Sequence, residues 1–546
     1  MFFQRNFFSL LPFRIAFVIC AIASQFAFSQ LQHSKNNILQ KKETRIIGDK
    51  GFYPVHNYTT KEYHSLPQNW AIVRDKRGVM YFGNNEGILE YDGVSWRMIR
   101  VDNETNIRSL AINEKGKIFV GAQGEFGYLE PDSVGNMKYY SLILKVEKKD
   151  RDFTDIWSIQ TTKNGVFFQA DNKIFRWDGK KIKVWNAQRS FHRMFFVNDH
   201  LYIRQREIGL MEILNDELLL LRGGEIFANE AICAMVPCFG SSSGTYSGNI
   251  IICSEKKGLF QLNPISKQNI LPGGPMFSFN YFSTQIDKFL LENKSYNLIK
   301  LENSYSIGTL TKGFVNIDTK GNLLDYLNKG AGLQDETIYA QYKDTSGNLW
   351  LALSNGISKL HINSPVTFFN AENGLNGTVL SIVRHDNTIF AATNLGVFYL
   401  SSAKITNGSL FTNSSFQKIQ GINEDCWHLL SFSSGKYSSL LIASNINVFS
   451  VDKNKKVNVV AQYGPWCMYR SLKNPARVFI GLDDGFASIY WDGKRWYDEG
   501  RYPMIKESIR SISEDTEGNI WLGHPSGVIK IKKFKHEKGI FEYRKN

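Results

Sequence analysis

Cysteine is scarce, with six residues in 546. Cys20 falls in an apolar N-terminal stretch, and Cys233, Cys238, Cys253, Cys426 and Cys467 form no CxxC pair. Low density and an odd number argue against both a zinc site and a disulfide framework. A Cys233–Cys238 bridge stays open in an oxidising compartment, although small buried hydrophobes are the favoured reading. Histidines occur singly, and no HExxH, GxSxG or P-loop is present, so the local signatures of metalloprotease, hydrolase and nucleotide chemistry are missing. After the first thirty residues no apolar run reaches the ~18 residues of a membrane helix. The surplus of 65 Lys+Arg over 51 Asp+Glu gives +14, but runs are as short as Lys453-Asn-Lys-Lys456 and no nucleic-acid module appears. No metal, cofactor or direct nucleic-acid contact is expected.

What is present begins with an address. Arg5 and Arg14 flank an apolar stretch, Ile15 to Phe28, and Ala27-Phe28-Ser29 puts small residues at −3 and −1. Residues 1–29 are expected to be a signal peptide cut before Gln30, with an uncleaved anchor as the alternative. Residues 30–44 are expected to form a polar linker, and the mature chain is expected to be exported.

Aromatics make up 14% of the chain and glycines number 44, which suits many short strands and turns. Aligning on a bulky residue followed six later by Gly yields Tyr81…Gly87, Trp350…Gly356, Phe390…Gly396, Phe479…Gly485 and Trp521…Gly527. Intervals between successive glycines include 40 residues (Gly87 to Gly127), 43 (Gly313 to Gly356) and 42 (Gly485 to Gly527). A period near 40 built from short strands is the signature of propeller blades. Tight turns recur at Asp75…Gly78, Asn113…Gly116, Asp344…Gly347 and Asp515…Gly518. Two residues after the bulky anchor stands a small one, as at Gly83, Gly121, Ala352 or Gly481, where blades could approach closely.

The fold expectation is therefore all-β: tandem β-propellers of four-stranded blades, eleven in total. A complete seven-bladed ring is expected over 45–363, with residues near 45–60 supplying its closing strand, and about four blades of a second over 364–546. Ser364–Asn370 would be the seventh blade's outer strand or the crossover.

Five residues before the turn positions stand Trp70, Arg108, Trp157, Tyr339, Leu380 and Arg510, with Arg193 and Trp427 in the same slot by looser alignment. The slot starts each blade's innermost strand, so these side chains should ring one mouth of the channel. Trp and Tyr faces stack on apolar sugar faces, and Arg donates forked hydrogen bonds to hydroxyls or carboxylates. The competing reading is packing between blades, with Arg stems snorkelling. The candidate ligand site is thus Trp70, Arg108, Trp157, Arg193, Tyr339, Trp427 and Arg510. Phe126 and Tyr128 form a second pair better read as packing. No catalytic residue is assigned: a sialidase-like turn box puts Asp two before Gly, and here the spacing is three.

Several of these motifs resemble one family. Gln68-Asn-Trp-Ala-Ile72, Asn84-Asn-Glu-Gly-Ile-Leu-Glu-Tyr91 and Gly124-Glu-Phe-Gly-Tyr128 are similar to the start of two-component-regulator propeller proteins of Bacteroidetes-type bacteria. The Asp-x-x-Gly-Asn-φ-Trp repeat at Asp344–Trp350 and Asp515–Trp521 looks like that family's blade motif, and the resemblance covers most of 45–532. It implies paired periplasmic propellers that sense oligosaccharides. A triple-tyrosine domain, a membrane helix and a kinase or helix-turn-helix output would follow in a longer protein. The resemblance further implies a small-molecule or oligosaccharide ligand, a homodimer as a candidate assembly, and membrane attachment through a further C-terminal part. The expectation is an exported, non-enzymatic ligand-sensing region of a membrane-spanning regulator. The alternative is a secreted propeller enzyme or binding module acting on glycans.

Overall fold

The computed structural model describes residues 50–239, 246–264, 277–401, 414–535 and 541–545, so the leader and linker expected over 1–44 lie outside the described residues. Among the described residues strands dominate, arranged as eleven four-stranded antiparallel sheets. The first blade shows the plan. β2 (Asn69–Arg74), β3 (Met80–Asn84), β4 (Gly87–Tyr91) and β5 (Trp96–Ile99) pair in sequence order. Second strands such as β3, Ile118–Ala122 and Leu349–Leu353 are buried at every position. Each is covered on both faces by neighbouring blades, which is why its sequence is a continuous apolar run rather than an alternating one. Outer strands such as Trp496–Arg501 are mostly open to solvent.

First strands pack on first strands. β2 meets Ile107–Ile112, and contact then passes through Ser158–Thr162, Phe191–Val197, Ile232–Phe239 and Ser295–Lys300 to Ile338–Lys343, which returns to β2. Seven sheets thus close a ring with these strands innermost. The seventh sheet has only three strands from its own stretch of chain. Its fourth is β1 (Val55–Tyr58), antiparallel to Ile357–Leu360, which is the closing strand expected near residues 45–60. Ser358 Oγ donates to Asn57 Oδ1 across this seam. Residues 364–370 are therefore the crossover, not the seventh blade's outer strand, and within them Phe368 bridges to Phe52. Four further sheets, starting with Val379–His385, Cys426–Ser434, Pro465–Arg470 and Ser511–Glu514, follow as an arc of successive contacts.

The repeated Asp turns are hydrogen-bond clasps. Asp344 Oδ1 accepts from the backbone N–H of Ser346 and Asn348, and Oδ2 accepts from Trp350 Nε1 at 3.0 Å. Asp515 receives the same bonds from Glu517, Asn519 and Trp521. Burial pushes the Asp344 carboxyl up, but bonds from Asn348, Trp350 and the two amides outweigh it and hold it below its ordinary range. The motif spacing is thus set by what one carboxylate can reach.

Small residues admit the next blade. A Cβ on Gly121 would lie 2.5 Å from Ile156 Cγ2, and one on Gly481 would lie 2.8 Å from Ile509 Cγ2. Gly121→Val is expected to cost about 1–3 kcal/mol through overpacking. A urea midpoint matching that of the unsubstituted protein would show the blades to be less tightly wedged.

Candidate functional site

The slot residues share a backbone device. In the first strand of blade after blade, pairing slips by one residue at the slot. Trp70 falls between paired Asn69 and Ala71, Arg108 between Ile107 and Ser109, and Tyr339 between Ile338 and Ala340. In the third blade Trp157 and Ser158 both face Gln169. A β-bulge of this kind bends the strand and re-aims one side chain. Recurring at the start of each innermost strand, it sets one residue per blade at the same end of the ring.

Within the first ring these side chains gather. Tyr339 stacks on Trp70, with centroids 4.0 Å apart and planes inclined by 15°. Trp157 stands edge-on to Trp70 at 6.2 Å. The Arg108 guanidinium carbon lies 4.2 Å from the Trp70 ring centre and 5.1 Å from that of Trp157. Its Nε donates to Asp155 Oδ1 at 2.9 Å, while Nη1 is buried without an acceptor. Trp70 Nε1 donates to Asn85 Oδ1 at 2.7 Å, which fixes the indole's tilt. Arg193 joins through Tyr296: its guanidinium carbon is 4.1 Å from that ring, and Nη1 donates to the carbonyls of Cys233 and Tyr296. Tyr296 in turn meets Tyr339 edge-on at 5.5 Å. All of these side chains are partly exposed.

Five of the seven expected residues therefore form one patch: Trp70, Arg108, Trp157, Arg193 and Tyr339. Trp427 and Arg510 instead meet at Trp466, in the second group of blades, so one continuous seven-residue ring is not what forms. The reason is topological, since the seven-sheet ring closes before residue 379 and the later slots lie on the four sheets that follow it. Tyr296, Asn85, Asp155 and Trp466 were not anticipated. Tyr296 and Trp466 each precede the partner of a small residue, Asn297 opposite Gly308 and Cys467 opposite Gly481, and that register could have found them. Phe126 is fully buried among Phe153, Phe168 and Phe175, and Tyr128 stacks on Trp177, so that pair is packing.

His192, next to Arg193 in sequence, lines a polar cleft of about 350 Å³ with Arg204, Arg206, Lys256 and the carboxylates Glu207, Glu230 and Glu255. Burial, reinforced by Arg193, Arg204 and Arg206, pushes the His192 imidazole down to about 3, so it is neutral at physiological pH. The five described cysteines are unbridged. Cys233 and Cys238 lie five residues apart on one strand, about 16 Å at 3.3 Å per residue. That span is far beyond disulfide reach, and Cys233 instead donates to the Ser295 carbonyl. Among the described residues no three His, Cys, Asp or Glu side chains form a metal-binding group. No helix among them is long and apolar enough to cross a membrane.

No protein-family model and no curated protein matches the chain. Among solved structures it is similar to the extracellular domain of a B. thetaiotaomicron protein named as a hybrid two-component system. The TM-score is 0.61 at 16% identity, over 90% of this chain and 66% of that one. A second such B. thetaiotaomicron domain matches with a TM-score of 0.41 at 15% identity, over 90% of this chain and 71% of its own. A streptogramin B lyase matches with a TM-score of 0.41 at 14% identity, over 57% of this chain and 98% of its own. The first likeness establishes a shared fold: the chain is a β-propeller protein, and it spans 66% of that neighbour's length.

Proposed function

We propose that this chain is the exported ligand-sensing propeller region of a membrane-spanning signal-transduction regulator, and that its ligand is an oligosaccharide. The observation that carries the ligand is the Tyr339–Trp70 stack with the Arg108 guanidinium laid over it and paired with Asp155. Tyr339 and Arg108 cover the two faces of Trp70, so a pyranose ring would lay its apolar face on the outer side of that stack and present hydroxyls to Arg108 and Asp155. The regulator reading draws on the family resemblance of the blade motifs and on the fold shared with an extracellular domain named as part of a two-component system. On this reading residues 1–29 direct export, 45–363 and 364–546 are the two propeller units, and the region lies on the periplasmic side of the inner membrane. The output that controls transcription belongs to a further part of the regulator.

Calorimetric titration with a glycan panel tests the site. Trp70→Ala and Arg108→Ala should each weaken binding by about 1–3 kcal/mol, as for a stacking or charge-assisted contact. Trp70→Ala should do so with little change in melting temperature, whereas Arg108→Ala also leaves the largely buried Asp155 without its partner and should lower it. Unchanged affinity with a large fall in melting temperature would make the patch structural.

A further inference from the structure

The first-ring patch is built a second time. On three successive blades of that ring the slots hold Tyr339, Trp70 and Arg108. On three successive blades of the later group they hold Trp427, Trp466 and Arg510. The order is the same: aromatic, aromatic, arginine. The spacing is also similar, although the ring planes are not. Trp427 and Trp466 have centroids 4.4 Å apart and are tilted by 47°, against 4.0 Å and a 15° stack for Tyr339 and Trp70. The Arg510 guanidinium carbon lies 3.5 Å from the Trp466 ring centre, against 4.2 Å for Arg108 over Trp70.

The supporting bonds match as well. Trp70 Nε1 is held by Asn85, in the turn between the second and third strands of its blade. Trp466 Nε1 is held at 3.1 Å by Asp483, from the corresponding turn. Each arginine also faces a carboxylate, Arg108 with Asp155 and Arg510 with Asp483 at 3.4 Å. Ser508 Oγ donates to Asp483 too, and hydrogen bonds from Trp466 and Ser508 hold its carboxyl below the ordinary range.

Packing alone does not account for the repeat. Leu380 holds the same register on the adjacent blade and is 40% exposed, so an aliphatic residue suffices there. The Arg510 side chain is 43% exposed and Asp483 71%, so their polar groups face solvent rather than a neighbouring blade. A tilted indole pair with a donor fork and an acceptor at its edge suits a ring with one apolar face and peripheral hydroxyls.

We infer that Trp427, Trp466, Arg510 and Asp483 form a second saccharide-binding platform, so that one chain holds two sugar units of the same class at separate places. The inference rests on the reading of the Tyr339–Trp70–Arg108 patch as a sugar site. Stacking on Trp466 orients the ring, Arg510 donates to its hydroxyls, and Asp483 accepts from them.

Short probes that cover a single platform separate the two: cellotriose, mannotriose, xylotriose and trigalacturonate. The full chain labelled with 5-fluorotryptophan reports each indole by fluorine NMR, with Trp70→Phe and Trp466→Phe assigning the signals. At least one trisaccharide should shift both signals. Arg510→Ala should raise the Kd read at Trp466 by roughly tenfold or more and leave that at Trp70 unchanged, and Arg108→Ala should do the converse. Arg510 is exposed enough for its variant to keep the fold, which a thermal melt verifies. If only Trp70 responds, the second platform is structural and the first reading stands. If only Trp466 responds, the first reading falls and the sugar belongs to the later blades. Silence at both overturns both.

Discussion

Trp350→Ala is expected to lower stability by about 3–5 kcal/mol, the range for emptying a large buried aromatic site. Trp350 is 3% exposed and sits where the ring closes. It stacks on Tyr58 of β1 at 5.6 Å, meets Phe82 of the first blade at 5.8 Å, and stands edge-on to Tyr91 at 6.2 Å. Its Nε1–H also fills the Asp344 clasp. One substitution therefore opens a cavity shared by the first blade, the seventh blade and the closing strand, and strips a donor from a partly buried carboxylate. Trp521 is the internal control. It holds the same motif position and clasps Asp515 in the same way, but it is 39% exposed. Its alanine variant should cost about 1 kcal/mol, the value of a hydrogen bond with little burial. Urea midpoints read at constant slope compare the two. Equal losses would mean that the clasp, not ring closure, carries the cost.

Lys173→Met should cost a similar amount for an electrostatic reason. Lys173 Nζ lies 3.0 Å from Asp150 Oδ1 and donates to Asn186, with the two charged side chains only 11% and 12% exposed. Removing the cation leaves a carboxylate buried without its partner, which costs about 3–5 kcal/mol. Replacing both charges removes that penalty, so Lys173→Met with Asp150→Leu should recover most of the loss. A double variant no more stable than the single one would show that the carboxylate does not depend on Lys173.

Blade spacing was legible because its signals are local. An Asp three residues before a Gly bonds amides two and four residues on, and that chemistry lies wholly within the turn. The slot was legible for Trp70, Arg108, Trp157 and Tyr339 because each precedes a recognisable turn by a constant interval. Trp466 escaped because the following turn is held from elsewhere. Glu514, on the next blade, accepts from Ser471 Oγ and from the backbone N–H of Leu472 and Lys473. No Asp marks that turn in sequence. Tyr296 escaped for a related reason: its hairpin turns at Leu301–Ser304 without a carboxylate clasp. The assignment of Trp427 and Arg510 to the same patch as Trp70 failed because a blade motif carries no label for the axis it joins. Only closure of Ile338–Lys343 onto β2 decides that.

The seam made by β1 also sets a clock. The hydrogen bond from Ser358 to Asn57 joins residues 301 positions apart. A ribosome adding about 5–20 residues per second takes roughly 15–60 s to travel that distance. Throughout this interval β1 has no partner strand and the first blade has no neighbour on one side. Early blades can form hairpins as they appear, but the ring becomes a ring only when residues 338–360 arrive. A long-lived open edge invites pairing with other chains, and here it stays open for most of the time taken to make the first propeller.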